Sequence, residues 1–151
     1  MIEQYLNQNT IQLQETIDDW QSAITLAAQP LIKNHSISNE YLQTMINSVN
    51  ELGPYIIITP LVALPHARPE QGVQKMGLSL LRLKQAVAFS NNSDHLVNLV
   101  IVLAATDNSS HIGILTELSD LLGDEANVQA MIAANSSDEI ITIINTQLQL
   151  T

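Results

Sequence analysis

The stretch LVNLVIVLAAT, residues 96–106, is an almost continuous run of apolar residues. A run of this kind predicts a β-strand that is covered on both faces, because a strand with one solvated face alternates apolar with polar side chains. Helices packed on a sheet supply that cover, so the stretch predicts an α/β fold. Its uninterrupted part, LVIVLAA at 99–105, is far too short to span a bilayer.

Other strand signals lie upstream of this stretch. Short apolar and β-branched runs occur as YIIIT at 55–59 and VAL at 62–64, separated by Pro60, and MGLSLLRLK at 76–84 alternates apolar with polar residues. A further strand is expected near TIQLQ, residues 10–14. Together with residues 96–106, these runs supply the strands of one sheet.

Apolar residues at helical spacing indicate helices in the first third of the chain. After a short helix at the N-terminus, a longer one is expected to begin at Asp18 or Asp19, and Pro30 should kink or end it. The next helix is expected to run from an N-cap at Ser38 to a stop at Gly53.

Three more helices are predicted after the apolar stretch. They lie within 109–124, 125–134 and 136–148, and the last begins with a capping box formed by Ser136 and Glu139. Helices on both sides of the strand region in sequence favour an α/β sandwich.

Composition limits the classes of function. The chain of 151 residues has a net charge of -10 at pH 7 and no cysteine. The acidic balance disfavours nucleic acid and anionic lipid as partners, and the lack of thiols excludes disulfides, thiol catalysis and thiolate metal sites. The first ten residues show no basic region followed by an apolar segment, so no targeting signal is expected. We therefore expect one cytoplasmic domain spanning residues 1–151, without membrane insertion.

The few basic residues are unevenly distributed. Four of the five follow His66 in the sequence, namely Arg68, Lys75, Arg82 and Lys84. This clustering fits either a solvated strand face or a region that attracts an anion, and the sequence leaves both interpretations open.

Two histidines fall where predicted strands end. His66 follows the VAL strand, and His111 follows the long apolar strand at the first turn of the next helix. Ligands of open α/β sheets collect outside the carboxyl ends of the strands. The exposed N–H groups of a helix N-terminus near Ser109, Ser110 and His111 would also suit a phosphate.

A histidine pair of this kind has a specific chemistry available. A neutral imidazole is a nucleophile near neutral pH, and its attack on a phosphoryl donor needs no separate base. His66 is the candidate phosphoacceptor. Arg68, loop amides such as that of Ala67, Ser110 at the helix start, and His111 are candidates for binding the phosphoryl oxygens.

Other interpretations compete with this one. A loop histidine is most often an ordinary polar residue, and His35 and His95 receive no role. Zinc could be held by three of the residues His66, Asp94, His95, Asp107 and His111, but no HExxH or similar ligand motif supports a metal site. The sequence also lacks a Walker A or GxGxxG motif, so no nucleotide site is predicted.

Two longer stretches carry a family resemblance. Residues 53–90, GPYIIITPLVALPHARPEQGVQKMGLSLLRLKQAVAFS, and residues 98–124, NLVIVLAATDNSSHIGILTELSDLLGD, resemble the IIA component of the bacterial phosphoenolpyruvate:sugar phosphotransferase system, in its mannitol/fructose class. Within that class, GPYI, ALPHARPE and AATDNSSH are most similar to the ascorbate-type IIA proteins and to IIA-like domains of certain transcription regulators. The resemblance extends over essentially the whole chain.

The resemblance implies a fold and a function. The fold would be a three-layer sandwich, with helices on both faces of a mixed β-sheet. His66 matches the histidine that accepts a phosphoryl group from the phosphocarrier HPr, and His111 matches the second histidine that supports the site. The phosphoryl group would pass to a cognate IIB component, on a cysteine in ascorbate-type systems, and so serve a membrane IIC permease that takes up a sugar, here L-ascorbate. No cofactor is implied, and a homo-oligomer is left open.

One feature departs from the family pattern. Mannitol and fructose relatives carry an arginine near the end of the helix before the Pro-His loop, where this chain has NSVNELGPY, residues 47–55. Arg68 is our candidate to compensate. The alternative function is a stand-alone regulatory IIA-like module whose phosphorylation state controls a partner protein.

Overall fold

Five strands form a single mixed sheet in the computed structural model, which describes residues 1–68, 72–106 and 111–149. In chain order the strands are β1 (Ile11–Gln14), β2 (Ile57–Thr59), β3 (Leu61–Ala63), β4 (Gly77–Ala88) and β5 (Leu96–Ala104). Their order across the sheet is β1-β4-β5-β3-β2. The β1/β4 and β3/β5 pairs are parallel, and the β4/β5 and β2/β3 pairs are antiparallel.

Five helices cover this sheet, in chain order α1 (Trp20–Lys33), α2 (Asn39–Leu52), α3 (Ile112–Leu122), α4 (Glu125–Ala133) and α5 (Ser137–Gln149). The N-terminal helix expected from the sequence is a single 3-10 turn, Ile2–Gln4. None of the helices in the described part of the chain is long and apolar enough to cross a membrane.

The apolar core has two halves, one on each face of the sheet. Leu81 and Leu83 of β4 pack in the half that contains the buried sides of α1 and α2. Leu78 and Leu80 of the same strand pack in the half that contains α3, α4 and α5. This alternation is the period of two that a strand imposes on its side chains. The predicted three-layer sandwich with a mixed sheet is confirmed.

The predicted helix starts agree with the structure. The carboxylate of Asp19 caps α1 by accepting from the Ser22 amide at 2.7 Å, and this hydrogen bond lowers the pKa of Asp19. The Ser38 hydroxyl caps α2 at the amide of Tyr41, and Gly53 ends that helix with φ +81°.

One of the two hydrogen bonds of the predicted capping box of α5 forms as expected, and the other has a different partner. The amide of Glu139 donates to the Ser136 hydroxyl at 3.2 Å, as expected. The carboxylate of Glu139, however, accepts from the amide of Asn135 at 2.6 Å, one residue before the expected partner.

Pro30 was expected to kink or end the first helix, and the second of these expectations is wrong. It lies inside α1, which continues to Lys33. Proline lacks the N–H that would bond to the carbonyl four residues earlier, and its ring displaces that carbonyl. In this protein the freed carbonyl of Leu26 accepts a hydrogen bond of 2.8 Å from the side-chain amide of Gln12 on β1.

Arg82 also differs from the sequence analysis, which grouped it with the basic residues that follow His66. It is 4% exposed on β4, an interior strand of the sheet. Its Nη1 donates to the carbonyls of Ile132 and Ala134 at 2.8 and 2.9 Å. This arginine therefore binds the C-terminal end of α4 and belongs to neither a solvated face nor an anion site.

The Gln12 contact can be tested with a double-mutant cycle. We expect Gln12→Leu to lower the free energy of unfolding by about 1 kcal/mol, because the Leu26 carbonyl loses its donor. In a Pro30→Ala background the same change should cost less, since the new amide at position 30 can bond to that carbonyl. Denaturant unfolding of the four proteins measures the coupling, and equal costs in the two backgrounds would contradict this account.

Candidate functional site

A cleft of about 530 Å³ opens where α2, the loop after β3, the end of β5 and the start of α3 meet. We call it the His66 cleft. It is lined by Tyr41, Thr44, Asn47, Ser48, Glu51, Leu52, Tyr55, His66, Ala67, Arg68, Leu103, Ala105 and His111. The ends of the parallel pair β3 and β5 place His66 and His111 together, as the topology of open α/β sheets predicts.

The backbone just before His66 is held by hydrogen bonds to neighbouring elements. The amide of Leu64 donates to the carbonyl of Ile56 at 2.8 Å, and the amide of Leu103 donates to the carbonyl of Pro65 at 3.1 Å. These bonds attach the loop to the segment before β2 and to the end of β5. His66 is therefore presented by a fixed backbone, with its side chain half-buried at the wall of the cleft.

The imidazole of His66 has a defined orientation. Its Nδ1 lies 2.7 Å from the carbonyl oxygen of Leu64. A carbonyl can accept but not donate, so Nδ1 carries a proton. In the neutral ring Nε2 then has the free lone pair. The ring of Tyr55 meets the imidazole edge to face, with centroids 5.9 Å apart and an interplanar angle of 78°.

Tyr41 holds the residue that follows His66. Its side chain is fully buried, and its hydroxyl accepts from the amide of Ala67 at 3.0 Å. The same hydroxyl can donate its proton to either of two carbonyl oxygens, that of Leu103 at 3.0 Å or that of Ala67 at 3.2 Å. Burial raises the pKa of Tyr41, so the hydroxyl keeps its proton.

This arrangement revises the expectation for Ala67. Its amide was a candidate donor to a phosphoryl oxygen, but the structure directs that N–H to Tyr41. The role of the Tyr41 hydroxyl was not predicted from the sequence. A tyrosine on an apolar helix face was the available signal, because a buried tyrosine hydroxyl generally finds a hydrogen-bond partner.

His111 lies at the N-cap position of α3 and lines the cleft. Its carbonyl accepts from the amide of Leu115 at 2.9 Å, as an N-cap carbonyl should. Its Nδ1 is buried and has no hydrogen-bond partner among the described residues. Ser110, the other predicted contact at this helix start, and Asp107, a candidate metal ligand, lie outside the described residues.

Arg68 is exposed and lines the cleft beside His66. The wall contributed by α2 contains no arginine. Besides Tyr41 and Leu52, it consists of the polar residues Thr44, Asn47 and Ser48 together with Glu51. The departure from the family pattern noted in the sequence is thus visible in the cleft, where Arg68 is the basic residue other than histidine on the lining surface.

The candidate zinc ligands are dispersed. His95 bonds through Nδ1 to the Ser90 hydroxyl at 2.6 Å in the turn before β5. Neither His95 nor Asp94 lines the cleft that holds His66 and His111. No group of three or more metal-ligating side chains occurs within 1–68, 72–106 and 111–149.

Apolar residues near the two histidines have different environments. Leu64 is 5% exposed and belongs to the core, whereas Ile112, next to His111, is 60% exposed. Leu52 and Tyr55 on the cleft wall are 70% and 45% exposed. An apolar rim thus surrounds part of the His66 cleft.

Comparison with known proteins places this geometry in a family. The model of the family "Phosphoenolpyruvate-dependent sugar phosphotransferase system, EIIA 2" matches residues 4–147. The mannitol-specific cryptic phosphotransferase enzyme IIA component of Escherichia coli (strain K12) is 39% identical over 93% of this chain and 95% of its own length. The ascorbate-specific EIIA component of Salmonella typhimurium is 34% identical over 91% of this chain and 90% of its own.

Solved structures agree with the sequence comparisons. The solution structure of the mannitol-specific cryptic enzyme IIA from Escherichia coli matches with a TM-score of 0.88 and 37% identity, covering 96% of this chain and 98% of that chain. Mannitol enzyme IIA in its complex with phosphorylated enzyme IIB, also from Escherichia coli, matches with a TM-score of 0.81 and 26% identity, covering 93% and 97%. The chain therefore belongs to the EIIA 2 family of the phosphoenolpyruvate-dependent sugar phosphotransferase system and is a phosphotransferase component of that system.

Proposed function

We propose that His66 accepts a phosphoryl group from phosphorylated HPr on Nε2 and passes it to a cognate IIB component. The observation that carries this proposal is the 2.7 Å contact between His66 Nδ1 and the Leu64 carbonyl. Because the contact places the ring proton on Nδ1, the nucleophilic lone pair is on the other nitrogen. The histidine also lines an open cleft, so two partner proteins can reach it in turn.

The proposed phosphoryl transfer to His66 needs no added base. The lone pair of Nε2 attacks phosphorus as the N–P bond of the donor histidine breaks, and the bonding electron pair returns to the donor ring. The Nδ1 proton stays on His66, so its imidazole gains positive charge when Nε2 is phosphorylated. The carbonyl oxygen of Leu64 carries partial negative charge and stabilises that ring. In the next step the IIB cysteine thiolate attacks phosphorus and the electron pair returns to Nε2.

Charge on the transferring group needs positive partners in the cleft. Arg68 is exposed there and can turn its guanidinium toward phosphoryl oxygens. His111 supplies a second imidazole at the N-terminus of α3, where the helix dipole also favours an anion. The buried Nδ1 of His111 has no hydrogen-bond partner within 1–68, 72–106 and 111–149. We assign both residues to phosphoryl support and not to covalent chemistry.

L-ascorbate is our proposed transported substrate, served through IIB and a membrane IIC permease. The 34% identity to an ascorbate-specific component supports it, while the 39% identity to a mannitol-specific component supports mannitol as the competing substrate. The His66 cleft binds a phosphoryl group and not the sugar. The contacts that distinguish an ascorbate system from a mannitol system are therefore those made with the IIB component. Transfer from the phosphorylated protein to purified ascorbate IIB and mannitol IIB would decide between them.

His66→Ala should abolish phosphate acceptance. The purified protein would be incubated with phosphoenolpyruvate, enzyme I and HPr, and an acid-labile mass increase of one phosphoryl group would be measured. The matched control is His35→Asn. His35 is exposed and lies outside the cleft, and its φ of 65° is a conformation that asparagine tolerates. Acceptance by the His66 variant at the wild-type rate would refute the assignment. Acceptance by wild type without transfer to any IIB would favour a regulatory module.

Arg68→Ala should slow transfer about 10-fold to 100-fold, because a charged donor to the phosphoryl oxygens is lost. His111→Ala should slow transfer without abolishing it. Lys84→Ala, which removes an exposed cation from β4 away from the cleft, is the control for net charge. Rapid-quench measurements in both directions give the rates, and an Arg68 variant as fast as the Lys84 variant would remove Arg68 from the mechanism.

The ring proton of neutral His66 should reside on Nδ1. Nitrogen-15 chemical shifts of the imidazole, recorded above the pH at which the ring titrates, distinguish the two tautomers. We expect Nε2 to show the shift of an unprotonated nitrogen, because the Leu64 carbonyl fixes the proton on the opposite side. A ring with its proton predominantly on Nε2 would contradict the proposed nucleophile.

A further inference from the structure

The buried side chain of Tyr41 contacts the loop that carries His66, residues 64–67. Tyr41, Leu103 and Ile56 supply the hydrogen bonds that hold the backbone of residues 64–67. Two of these partners act through their backbones, whereas Tyr41 acts through its side chain. The site therefore depends on the chemical identity of the residue at position 41.

The hydroxyl of Tyr41 acts both as a hydrogen-bond acceptor and as a hydrogen-bond donor. It accepts from the amide of Ala67 at 3.0 Å and donates toward the carbonyl of Leu103 at 3.0 Å. It thereby links α2, the residue after His66 and the end of β5 at one point. Phenylalanine could fill the same space, but it would leave the part-buried amide of Ala67 and the buried carbonyl of Leu103 without this partner.

The loop has to meet a strict requirement in order to orient the imidazole. The carbonyl of Leu64 can accept from His66 Nδ1 only while the backbone between the two residues keeps its present dihedral angles. Leu103 holds that segment at Pro65, and Tyr41 holds it at Ala67, on the other side of the histidine. Loss of either attachment would allow His66 to rotate away from the carbonyl.

We propose that Tyr41 is a positioning residue for phosphoryl transfer, which holds the loop so that Leu64 binds Nδ1 of His66 and Nε2 faces the cleft. The inference rests on the proposed role of His66 as phosphoacceptor. The hydroxyl of Tyr41 bonds to the backbone of Ala67 and Leu103 and not to the imidazole of His66, so its effect passes through the backbone of Ala67. A fixed loop suits a carrier in particular, since a donor and an acceptor must find the same nitrogen in the same place.

Tyr41→Phe is the direct test. We expect kcat for phosphoryl transfer from HPr to fall about 10-fold to 100-fold, with a much smaller change in KM, because the partner surface is unaltered while the nucleophile is misdirected. Nitrogen-15 shifts of His66 should move from one tautomer toward a mixture of the two. Unchanged shifts and unchanged kcat in a less stable protein would show a purely structural role and overturn the proposal.

Ser79→Ala is the matched control. Ser79 is fully buried on β4, and its hydroxyl donates to the Ala27 carbonyl on α1, away from the His66 cleft. Its loss removes a buried hydroxyl of the same kind and should lower stability while leaving kcat and the His66 tautomer at wild-type values. A control variant that shifts the tautomer as much as Tyr41→Phe would also overturn the proposal.

A measurement on the wild-type protein covers the case in which Tyr41→Phe does not fold. The amide of Ala67 should exchange with deuterium at least 100-fold more slowly than an unprotected amide, because the hydroxyl of Tyr41 binds it. Exchange at the unprotected rate would overturn the proposal. The exchange and tautomer measurements need no phosphoryl donor, so they remain decisive for Tyr41 even if HPr fails to phosphorylate the protein.

Discussion

Strand β5 must bury both of its faces, and the architecture follows from that constraint. Val100 and Val102 pack in the half of the core that contains α1 and α2, whereas Leu99 and Ile101 pack in the half that contains α3 to α5. No one-sided arrangement could shield such a strand from water, since its apolar side chains point in both directions. The helices before and after the strand region therefore occupy opposite faces of the sheet.

The candidate site is a consequence of how this sheet ends. Strands β3 and β5 are parallel neighbours, so the segments that follow them leave the sheet at the same edge. His66 comes from one segment and His111 from the other, and α2 closes the cleft with Tyr41 and a polar wall. The loop is anchored to β5 at Leu103, whose neighbours are core residues. The rigidity of the hydrophobic core is thus passed to the histidine through main-chain hydrogen bonds.

The electrostatics of the cleft differ from the simple picture of a basic patch. Arg82 donates hydrogen bonds to the carbonyls at the end of α4 and does not line the cleft. Lys84 is exposed to solvent. Arg68 remains as the guanidinium at the cleft, opposite the Glu51-bearing wall of α2. Such moderate positive charge suits a carrier, because a phosphoryl group that is bound too tightly in the ground state would be slow to leave.

Much of the fold was predictable because its signals are local. The period of the apolar residues marked the strands and helices, and the caps at Asp19 and Ser38 followed from residue type. The expectation that Pro30 could end α1 was wrong, since the helix continues to Lys33. The Leu26 carbonyl finds a donor in Gln12, which β1 brings beside α1 in the folded chain. The position of His66 after a strand was likewise readable, and its family motif indicated a phosphoacceptor.

The sequence by itself therefore determined the α/β class, the approximate positions of most helices and strands, and the candidate histidines, since these depend on neighbours within one or two turns. Tertiary structure decided the rest. It buried Arg82, assigned the ring proton of His66 to Nδ1, and directed the Ala67 amide to Tyr41. Tyr41 bonds to residues 26 and 62 positions away, and such partners become neighbours only when helix, loop and strand pack together. Hydrogen bonding needs atoms within about 3 Å, and that proximity is a property of the packed chain.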